Sequence, residues 1–447
     1  MDGAAHRRRL VGLARPVYFS LLASVAAGII NTLWVARLGG DAVAAVAVAT
    51  NVENVLLGIA LVFGSGTTVL VAHARGAQDR GAVRAAVRGG WGLCGLIVPV
   101  VAFGGWLTRT DLARLVLGDG GADGAAPRLA VAYFGVSLPG MAVFFAQQLV
   151  DGLLKGAGDT RTPMRLALLA NGLILLADPL LIHAYGVVGA AVSTVAARLV
   201  ALGAGLRALR RDPLLRAAAD APAGEATWTA VRRTLRTGLP MSADFTVRQA
   251  GALALVAVVA RLGVTAVAAY AVAYKVLYVA TMAFYAVRQA AAIHTAQRDG
   301  AGLRERGTVG RQTALVAGAA GLAAAALFLV LAPWLVLAFG APPAVRAEAA
   351  LFLRCVGPYL VLTGVFIALG GVFEGSGGAP KVLRVTLLGA ALQLPCAAWL
   401  SGLWGLPGVC VALAAAMAVQ CGCLLAMARR AAGQEEVVAS LHAPRAV

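Results

Sequence analysis

Charged side chains are scarce in this sequence of 447 residues: Asp, Glu, Lys and Arg make up 13% of it, whereas hydrophobic residues make up 60%. Soluble domains carry about twice that charged fraction. The hydrophobic residues form continuous runs of about 20, a length that lets a helix cross the hydrocarbon core of a bilayer. Apolar and polar residues do not alternate within these runs, which argues against a membrane β-barrel. The composition therefore predicts an all-α integral membrane protein.

The sequence also lacks the motifs of several enzyme classes. It contains no phosphate-binding loop of the form G-x-x-x-x-G-K-S/T, no H-E-x-x-H zinc motif and no G-x-S-x-G nucleophile motif. The six cysteines form no C-x-x-C pair and lie within apolar runs, which is typical of small buried residues: Cys94, Cys355, Cys396, Cys410, Cys421 and Cys423. We therefore expect no metal ion, no cofactor and no ATP hydrolysis, and an integral membrane enzyme is the least favoured function.

Twelve apolar runs are long enough to span a bilayer, and we interpret them as six plus six helices. They cover about residues 14–36, 43–72, 89–107, 129–151, 164–184, 187–208, 237–260, 266–292, 311–338, 347–372, 382–401 and 405–428. The polar segment 210–235 is interpreted as a cytoplasmic linker between an N-terminal six-helix lobe (1–209) and a C-terminal one (236–430). Residues 431–447 are expected to form a polar cytoplasmic tail.

The net charge of +18 comes from basic residues that are concentrated in alternate loops. Together with the termini, one set of loops holds about 27 Lys and Arg residues, and the opposite set holds about six. Because basic loops stay on the cytoplasmic side of a membrane, we expect both termini there. Topology thus explains the charge without nucleic-acid binding. The expected location is a bacterial plasma membrane (the cell inner membrane), with lipid and a small-molecule substrate as partners.

A glycine-rich turn between two apolar runs occurs twice. Its glycines recur 219 positions later, and a proline follows each turn: Gly152, Gly156, Gly158 and Pro163, then Gly371, Gly375, Gly377 and Pro380. Nearer the start, Pro16 and Gly39 recur 224 positions later as Pro240 and Gly263. Such ordered matches indicate an internal duplication whose halves run in the same direction, which implies a pseudo-two-fold axis along the membrane normal. Each turn is predicted to join two helices tightly, with glycine capping the first.

Ionisable side chains inside apolar runs are costly to bury, so each is a candidate for function. Asp178, in the fifth run, is the strongest, because burial disfavours a charged carboxylate and so favours one that binds and releases a proton. Pro179 beside it lacks an N–H, which predicts a bend with a free backbone carbonyl. Glu53 in the second run is a further candidate for cation coupling, although it can also be a hydrated side chain near the membrane surface. Asn31 in the first run is polar but does not titrate.

Other polar residues within the runs are candidates for a substrate cavity. Asn171 lies in the same run as Asp178. Asp244 and Arg248 are four positions apart, which places them on one helix face, and the favoured interpretation is a pair that neutralises its own charge. Three further arginines lie at the margins of runs, where their side chains can extend to the surface: Arg198, Arg288 and Arg354.

A tyrosine stripe occupies the eighth run. Tyr270, Tyr274 and Tyr278 recur at helical spacing, and Lys275 lies beside them. Such stripes more often pack against neighbouring helices than bind a ligand. A face of tyrosine rings can also hold a flat or cationic substrate, which keeps these residues among the cavity candidates.

These residues resemble the MATE (multidrug and toxic compound extrusion) transporters of the multidrug/oligosaccharidyl-lipid/polysaccharide flippase superfamily. The resemblance covers nearly the whole chain and rests on Asn31-Thr32 with Gly39, the turn from Lys155 to Pro163, Asp178-Pro179 followed by Gly186 and Gly189, and Gly238 with Pro240. It implies two six-helix lobes with a cavity between them, and export by alternating access that a proton or sodium gradient drives. It also implies that Asp178, as the acid of the fifth span, couples transport to the cation.

Two residues depart from the pattern of that family. Its first-span motif usually carries Asp-Thr where this sequence has Asn31-Thr32, so one acid of the proton relay is replaced. Sodium-coupled members carry a Glu on the seventh span where this sequence has Arg248, which disfavours sodium and leaves a neutral, zwitterionic or anionic substrate as compatible as a cation. The leading hypothesis is a monomeric, proton-driven exporter of small, partly apolar molecules. The alternative is a flippase of lipid-linked or polysaccharide precursors, in which Arg248, Lys275 and Arg288 would contribute to a basic cavity.

Overall fold

The computed structural model describes residues 3–117, 125–221, 225–303 and 305–441, with side chains described as far as Arg430. Within these ranges all regular structure is helical. In chain order the helices are α1 (Gly3–Ala36), α2 (Gly40–Gly76), α3 (Arg80–Pro99), α4 (Gly105–Leu107), α5 (Arg109–Leu117), α6 (Ala125–Gly156), α7 (Arg161–Tyr185), α8 (Val187–Arg211), α9 (Pro213–Ala219), α10 (Thr227–Ala260), α11 (Val264–Gly300), α12 (Arg306–Leu337), α13 (Pro343–Cys355), α14 (Gly357–Gly375), α15 (Ala379–Trp404) and α16 (Leu406–Leu441). A π-helical segment, Val100–Gly104, joins α3 to α4.

Twelve helices in the described part of the chain are long and apolar enough to cross a membrane. They coincide with the twelve predicted spans, so the predicted fold class, an all-α membrane protein with about twelve spans, is confirmed. Most of the helices extend several residues beyond the predicted spans. The reason is that a hydrophobic run marks only the part of a helix that matches the bilayer core, whereas the helix continues into the polar region on either side.

The structure divides the tenth predicted span, 347–372, into two helices. α13 ends at Cys355, α14 begins at Gly357, and Val356 lies between them. Pro358 explains the break, because proline has no N–H to donate and its ring crowds the preceding helical turn. At the start of a new helix the same residue is favourable, since the first N–H groups of a helix have no partner within it.

The segment predicted as a linker, 210–235, contains helical structure. Asp212 caps α9: its Oδ1 atom accepts hydrogen bonds from the backbone N–H groups of Leu214 and Leu215, both at 3.0 Å. α10 then begins at Thr227, within the same segment. In the predicted tail, α16 continues to Leu441, and residues 442–447 lie outside the described residues, as do 222–224.

The chain forms two compact units, and both contain parts of α1 and α10. One unit comprises Met1–Tyr18 and Ala243–Val447, and the other comprises Phe19–Ser242. The division therefore crosses α1 after Tyr18 and α10 after Ser242. These two positions are 224 residues apart, which is the spacing of the duplicated residues near the start of each half.

Two glycines in the repeated turns adopt a backbone conformation that other residues resist. Gly158 has φ +85° and Gly377 has φ +77°. In the first turn, the backbone N–H of Asp159 donates to the carbonyl of Leu154 at 2.9 Å. In the second turn, the N–H of Gly378 donates to the carbonyl of Phe373 at 2.6 Å. Both turns thus close the preceding helix with a hydrogen bond of the Schellman type.

The other turn glycines lie where two helices approach closely. In each case a Cβ atom would collide with a backbone carbonyl oxygen of the neighbouring helix: Gly152 meets Gly64, Gly156 meets Thr68, Gly371 meets Arg288, and Gly375 meets Ala292. The first two contacts join α6 to α2, and the last two join α14 to α11. The contacted residues are 224 positions apart, so the duplication extends from sequence to helix packing within each unit.

Candidate functional site

Asp178 lies on α7 and is fully buried in the unit formed by Phe19–Ser242. Asn31 Nδ2 on α1 donates to its Oδ2 atom at 2.8 Å, and Ser193 Oγ on α8 donates to Oδ1 in a short hydrogen bond. Both donors are neutral, and no Lys or Arg side chain in the described ranges pairs with this carboxylate. A buried acid without a positive partner is stabilised by a bound proton or cation. α7 continues through Pro179 without a break.

A second polar contact joins the same two helices. Asn171 Nδ2 on α7 donates to Ser24 Oγ on α1 at 3.2 Å. Asn171 and Asp178 are seven residues apart, as are Ser24 and Asn31, so the two contacts lie two helical turns apart along one α1–α7 seam. The structure therefore brings Asn31, Asn171 and Asp178 onto one polar seam.

Glu53 belongs to a neighbouring group in this unit. Its carboxylate lies near Tyr133 on α6 and faces the charge of Arg198 on α8. The guanidinium of Arg198 also lies 4.5 Å from the ring centre of Phe144. Arg198 therefore faces an acid and an aromatic ring inside the unit. Within the described part of the chain, Glu53 thus has a positive neighbour and Asp178 has none.

In the other unit, four charged side chains form a buried network. Asp244 and Arg248 on α10, Arg288 on α11 and Glu374 on α14 carry two negative and two positive charges. Arg288 Nη2 lies 2.7 Å from Asp244 Oδ2 and 2.5 Å from Glu374 Oε1. Arg248 Nη2 also lies 2.7 Å from Asp244 Oδ2, and Thr386 Oγ1 donates to Asp244 Oδ1 at 2.5 Å. The formal charges cancel. Arg288, which the sequence placed at the margin of a span, is 6% exposed.

A cavity of about 130 Å³ lies beside this network, within the same unit. Residues of α10, α11, α13, α14, α15 and α16 line it. The tyrosine stripe forms one wall, with ring centres 5.8 Å apart for Tyr270 and Tyr274 and 6.4 Å apart for Tyr274 and Tyr278. Of the described residues that line the cavity, Arg248 alone is charged. Asp244 is 1% exposed and lies behind the wall, and Lys275 is exposed elsewhere on α11.

Sequence reasoning did not find several members of these groups. Ser193 is an ordinary small polar residue in an apolar run, and only its distance to Asp178 reveals its role. Glu374 lies within the second glycine-rich motif, which predicts a turn, whereas the structure places this acid at the buried end of α14. Gln393 and Gln420 line the cavity from α15 and α16, and their amides carry no motif. No group of three or more metal-ligating side chains occurs among the described residues.

The MatE family model matches both halves of the chain, at residues 16–180 and 240–399. The two matches begin 224 residues apart, in agreement with the internal duplication. The chain is 27% identical over 311 residues to the probable multidrug resistance protein NorM of Thermotoga maritima, covering 67% of this chain and 64% of that protein. It is 26% identical over 347 residues to the multidrug resistance protein MdtK of Edwardsiella ictaluri, covering 72% of this chain and 71% of that protein. The chain thus spans slightly less than two thirds of the Thermotoga relative.

The fold is also that of solved transporters. A structure described as the outward-facing conformation of a multidrug resistance MATE family transporter of the MOP superfamily superposes with a TM-score of 0.88 and 22% identity, covering 96% of this chain and 97% of that chain. With a family model that matches both of its halves and a shared fold over nearly its whole length, the chain belongs to the MatE family of membrane transporters.

Proposed function

We propose that the protein is a secondary active exporter of small, partly apolar molecules, and that protons entering through Asp178 drive it by alternating access of its two units. The relatives named above are described as multidrug resistance proteins, which favours a drug or metabolite as substrate. We further propose that it acts as a monomer in a bacterial plasma membrane with both termini in the cytoplasm.

One observation carries the proposal: Asp178 is a fully buried acid whose hydrogen-bond donors are all neutral. Asp244 provides the contrast, since two arginines neutralise its carboxylate. A change in protonation at Asp244 would leave unpaired arginines, whereas at Asp178 it removes a buried charge. A change of protonation state therefore costs less at Asp178 than at Asp244.

Ser193 is suited to both protonation states of Asp178. When the carboxylate is charged, the Ser193 hydroxyl donates to it. The same hydroxyl also lies 3.1 Å from the backbone carbonyl of Ala190, so it can donate there and accept a hydrogen bond from a protonated Asp178. The Asn31 amide is a fixed donor that favours the charged state. A hydroxyl that can donate or accept and an amide that always donates together allow Asp178 to bind and release one proton repeatedly.

The flippase alternative requires a basic cavity, and the contacts around its three basic candidates do not support one. Arg288 is neutralised by Asp244 and Glu374. Lys275 is exposed and is not among the cavity-lining residues. Arg248 is left as the single positive side chain in the wall, which fits a small ligand better than a polyanionic precursor.

Transport by purified protein in liposomes tests the proposal. Dyes of positive, neutral and negative charge would be offered under an imposed pH gradient or an imposed sodium gradient. We expect flux that follows the pH gradient and is lost in Asp178→Asn. Asp111→Asn is the matched control, because it removes the same carboxylate from an exposed position on α5. Flux that persists in Asp178→Asn, or that follows sodium, would place the coupling site elsewhere.

A further inference from the structure

The cavity in the unit formed by Met1–Tyr18 and Ala243–Val447 combines flat aromatic walls with a single charge. Tyr270, Tyr274 and Tyr278 line it along α11, and Phe352 and Tyr270 meet in a T-shaped contact at 5.4 Å between ring centres. Such walls favour a planar, apolar ligand body. The amides of Gln393 and Gln420 add neutral hydrogen-bonding groups on the opposite side.

Arg248 lines this cavity and has two donors without a hydrogen-bond partner among the described residues. Its side chain is 18% exposed, and its Nη2 atom contacts Asp244 at 2.7 Å. Its Nε and Nη1 atoms are buried and have no hydrogen-bond partner among the described residues. Guanidinium donors that are buried without an acceptor are costly, so a carboxylate in the cavity gains a charge-assisted hydrogen bond when the Arg248 side chain turns one of these donors toward it.

The surrounding charges favour a negative ligand over a positive one. Asp244, the acid nearest Arg248, is behind the wall and already accepts from Arg288 and Thr386. Among the described residues that line the cavity none is acidic, and Asp244, which pairs with Arg248, lies behind the wall. A cation in this space would therefore meet the arginine first, whereas an anion can accept a hydrogen bond from its guanidinium.

The volume of the cavity limits the size of the ligand. Pockets for drug-sized molecules measure roughly 300–1,000 Å³, whereas this cavity holds about 130 Å³. A single aromatic ring with one small substituent fits such a space, and a molecule with several fused rings does not.

We propose that this cavity binds a small aromatic carboxylate, with its ring against the tyrosine stripe and its carboxylate on Arg248. The proposal deepens the proposed function and rests on it for the step from bound ligand to exported substrate. It assigns the protein an anionic substrate class and gives Arg248 the role of the specificity-determining donor.

Isothermal titration of the purified full chain in lipid nanodiscs tests this assignment with three ligands of nearly equal shape: benzoate, benzamide and benzylammonium. We expect benzoate to bind at least about tenfold more tightly than benzamide, because only the carboxylate pairs its own charge with that of the guanidinium. Benzylammonium should bind more weakly than either. Equal affinity for benzoate and benzamide, tighter binding of the cation, or no binding of any of the three would overturn the assignment.

Variants separate a binding role for Arg248 from a structural one. Arg248→Gln should remove the preference for benzoate while leaving benzamide binding within about twofold, since Asp244 keeps Arg288 and Thr386 as partners. Arg248→Lys, which keeps the charge, should retain part of the preference. Arg261→Gln is the matched control, because it removes an exposed arginine just beyond the end of α10. A preference that survives in Arg248→Gln contradicts the assignment.

The Asp178→Asn variant tests the anion site separately from proton coupling. Asp178 lies in the other unit, so Asp178→Asn should leave benzoate binding unchanged while it abolishes proton-driven flux. Benzoate binding together with flux that ignores Asp178 would refute the coupling proposal alone. Proton-driven flux of dyes without a preference for benzoate would refute the anion site alone.

Discussion

The buried network around Arg288 allows a specific prediction about how its loss changes the thermal stability of the protein. Arg288 donates from Nε to Glu374 Oε2 at 3.1 Å and from Nη2 to both Glu374 and Asp244. Replacing it by glutamine leaves Glu374, which is 5% exposed, without a cationic partner among the described residues, whereas Asp244 keeps Arg248. The variant thus creates one uncompensated buried carboxylate.

The expected magnitude follows from that single orphaned charge. Removing one partner of a buried ion pair costs about 3–5 kcal/mol, so Arg288→Gln should lower the melting temperature by on the order of 10 °C for a unit of this size. Glu374→Gln should cost less, because Arg288 keeps its bond to Asp244. The double variant retains the neutral pair of Asp244 and Arg248. We therefore expect it to be more stable than the sum of the single effects predicts, by about 1–3 kcal/mol.

Buried thiols provide the assay. Cys94, Cys410 and Cys421 are free and buried, so a thiol-reactive fluorophore labels them only as the protein opens on heating. Unfolding of membrane proteins is often irreversible, so the four proteins would be compared at one scan rate in one detergent. Strictly additive losses in the double variant would refute the reasoning, because they would show that Arg288 and Glu374 do not stabilise each other.

Two further predictions concern packing and pH. Gly371→Ala places a methyl group against the backbone carbonyl of Arg288 and should lower the free energy of unfolding by about 1–3 kcal/mol. Gly172→Ala is the control: it lies in a helix interior with no atom within 4 Å of the added methyl group, so it should be neutral or stabilising in the same thermal assay. Equal effects of the two substitutions would contradict the close-packing role of Gly371. Burial raises the pKa of Glu305, but the hydrogen bond and charge of Arg298 outweigh it and hold the pKa below its usual range. That stabilisation is present at neutral pH and is lost as the pH falls through the lowered pKa. The difference in melting temperature between wild type and Glu305→Gln should therefore disappear in acid. A difference that persists in acid would exclude the pair of Glu305 and Arg298 as its source.

The spans were predictable because the bilayer imposes their length. A run of about 20 apolar residues has few folded outcomes other than a spanning helix. The break at Val356 was missed although its signal, Pro358 inside an apolar run, is visible in the sequence. Proline is tolerated within other helices of this chain, including α7 at Pro179 and α10 at Pro240. Whether a given proline bends a helix or ends it depends on what surrounds it, and hydropathy does not report that.

The candidate site was predictable in part, for a related reason. The cost of burying an acid identifies Asp178 from its own sequence context. Its partners do not follow, because the rotation and axial position of α1 and α8 against α7 decide which polar group reaches it. Asn31 is 147 residues away, and nothing local distinguishes Ser193 from other serines in apolar runs. The separation of Lys275 from Tyr274 does follow from helical geometry, because neighbouring residues point about 100° apart.

The duplication also explains how two similar halves hold different chemistry. The repeated contacts at Gly152 and Gly371 are made by backbone carbonyl oxygens, those of Gly64 and Arg288. A backbone contact does not depend on the side chain of the residue that makes it, so this position can hold glycine in one unit and arginine in the other while the helices keep their approach. In one unit, Asp178 is a buried acid whose hydrogen-bond donors, Asn31 and Ser193, are both neutral. In the other, Arg288 neutralises Asp244 and Glu374, and Arg248 lines an aromatic cavity. The proposed division of roles, with coupling in one unit and ligand selection in the other, is thus compatible with a packing scheme that both units share.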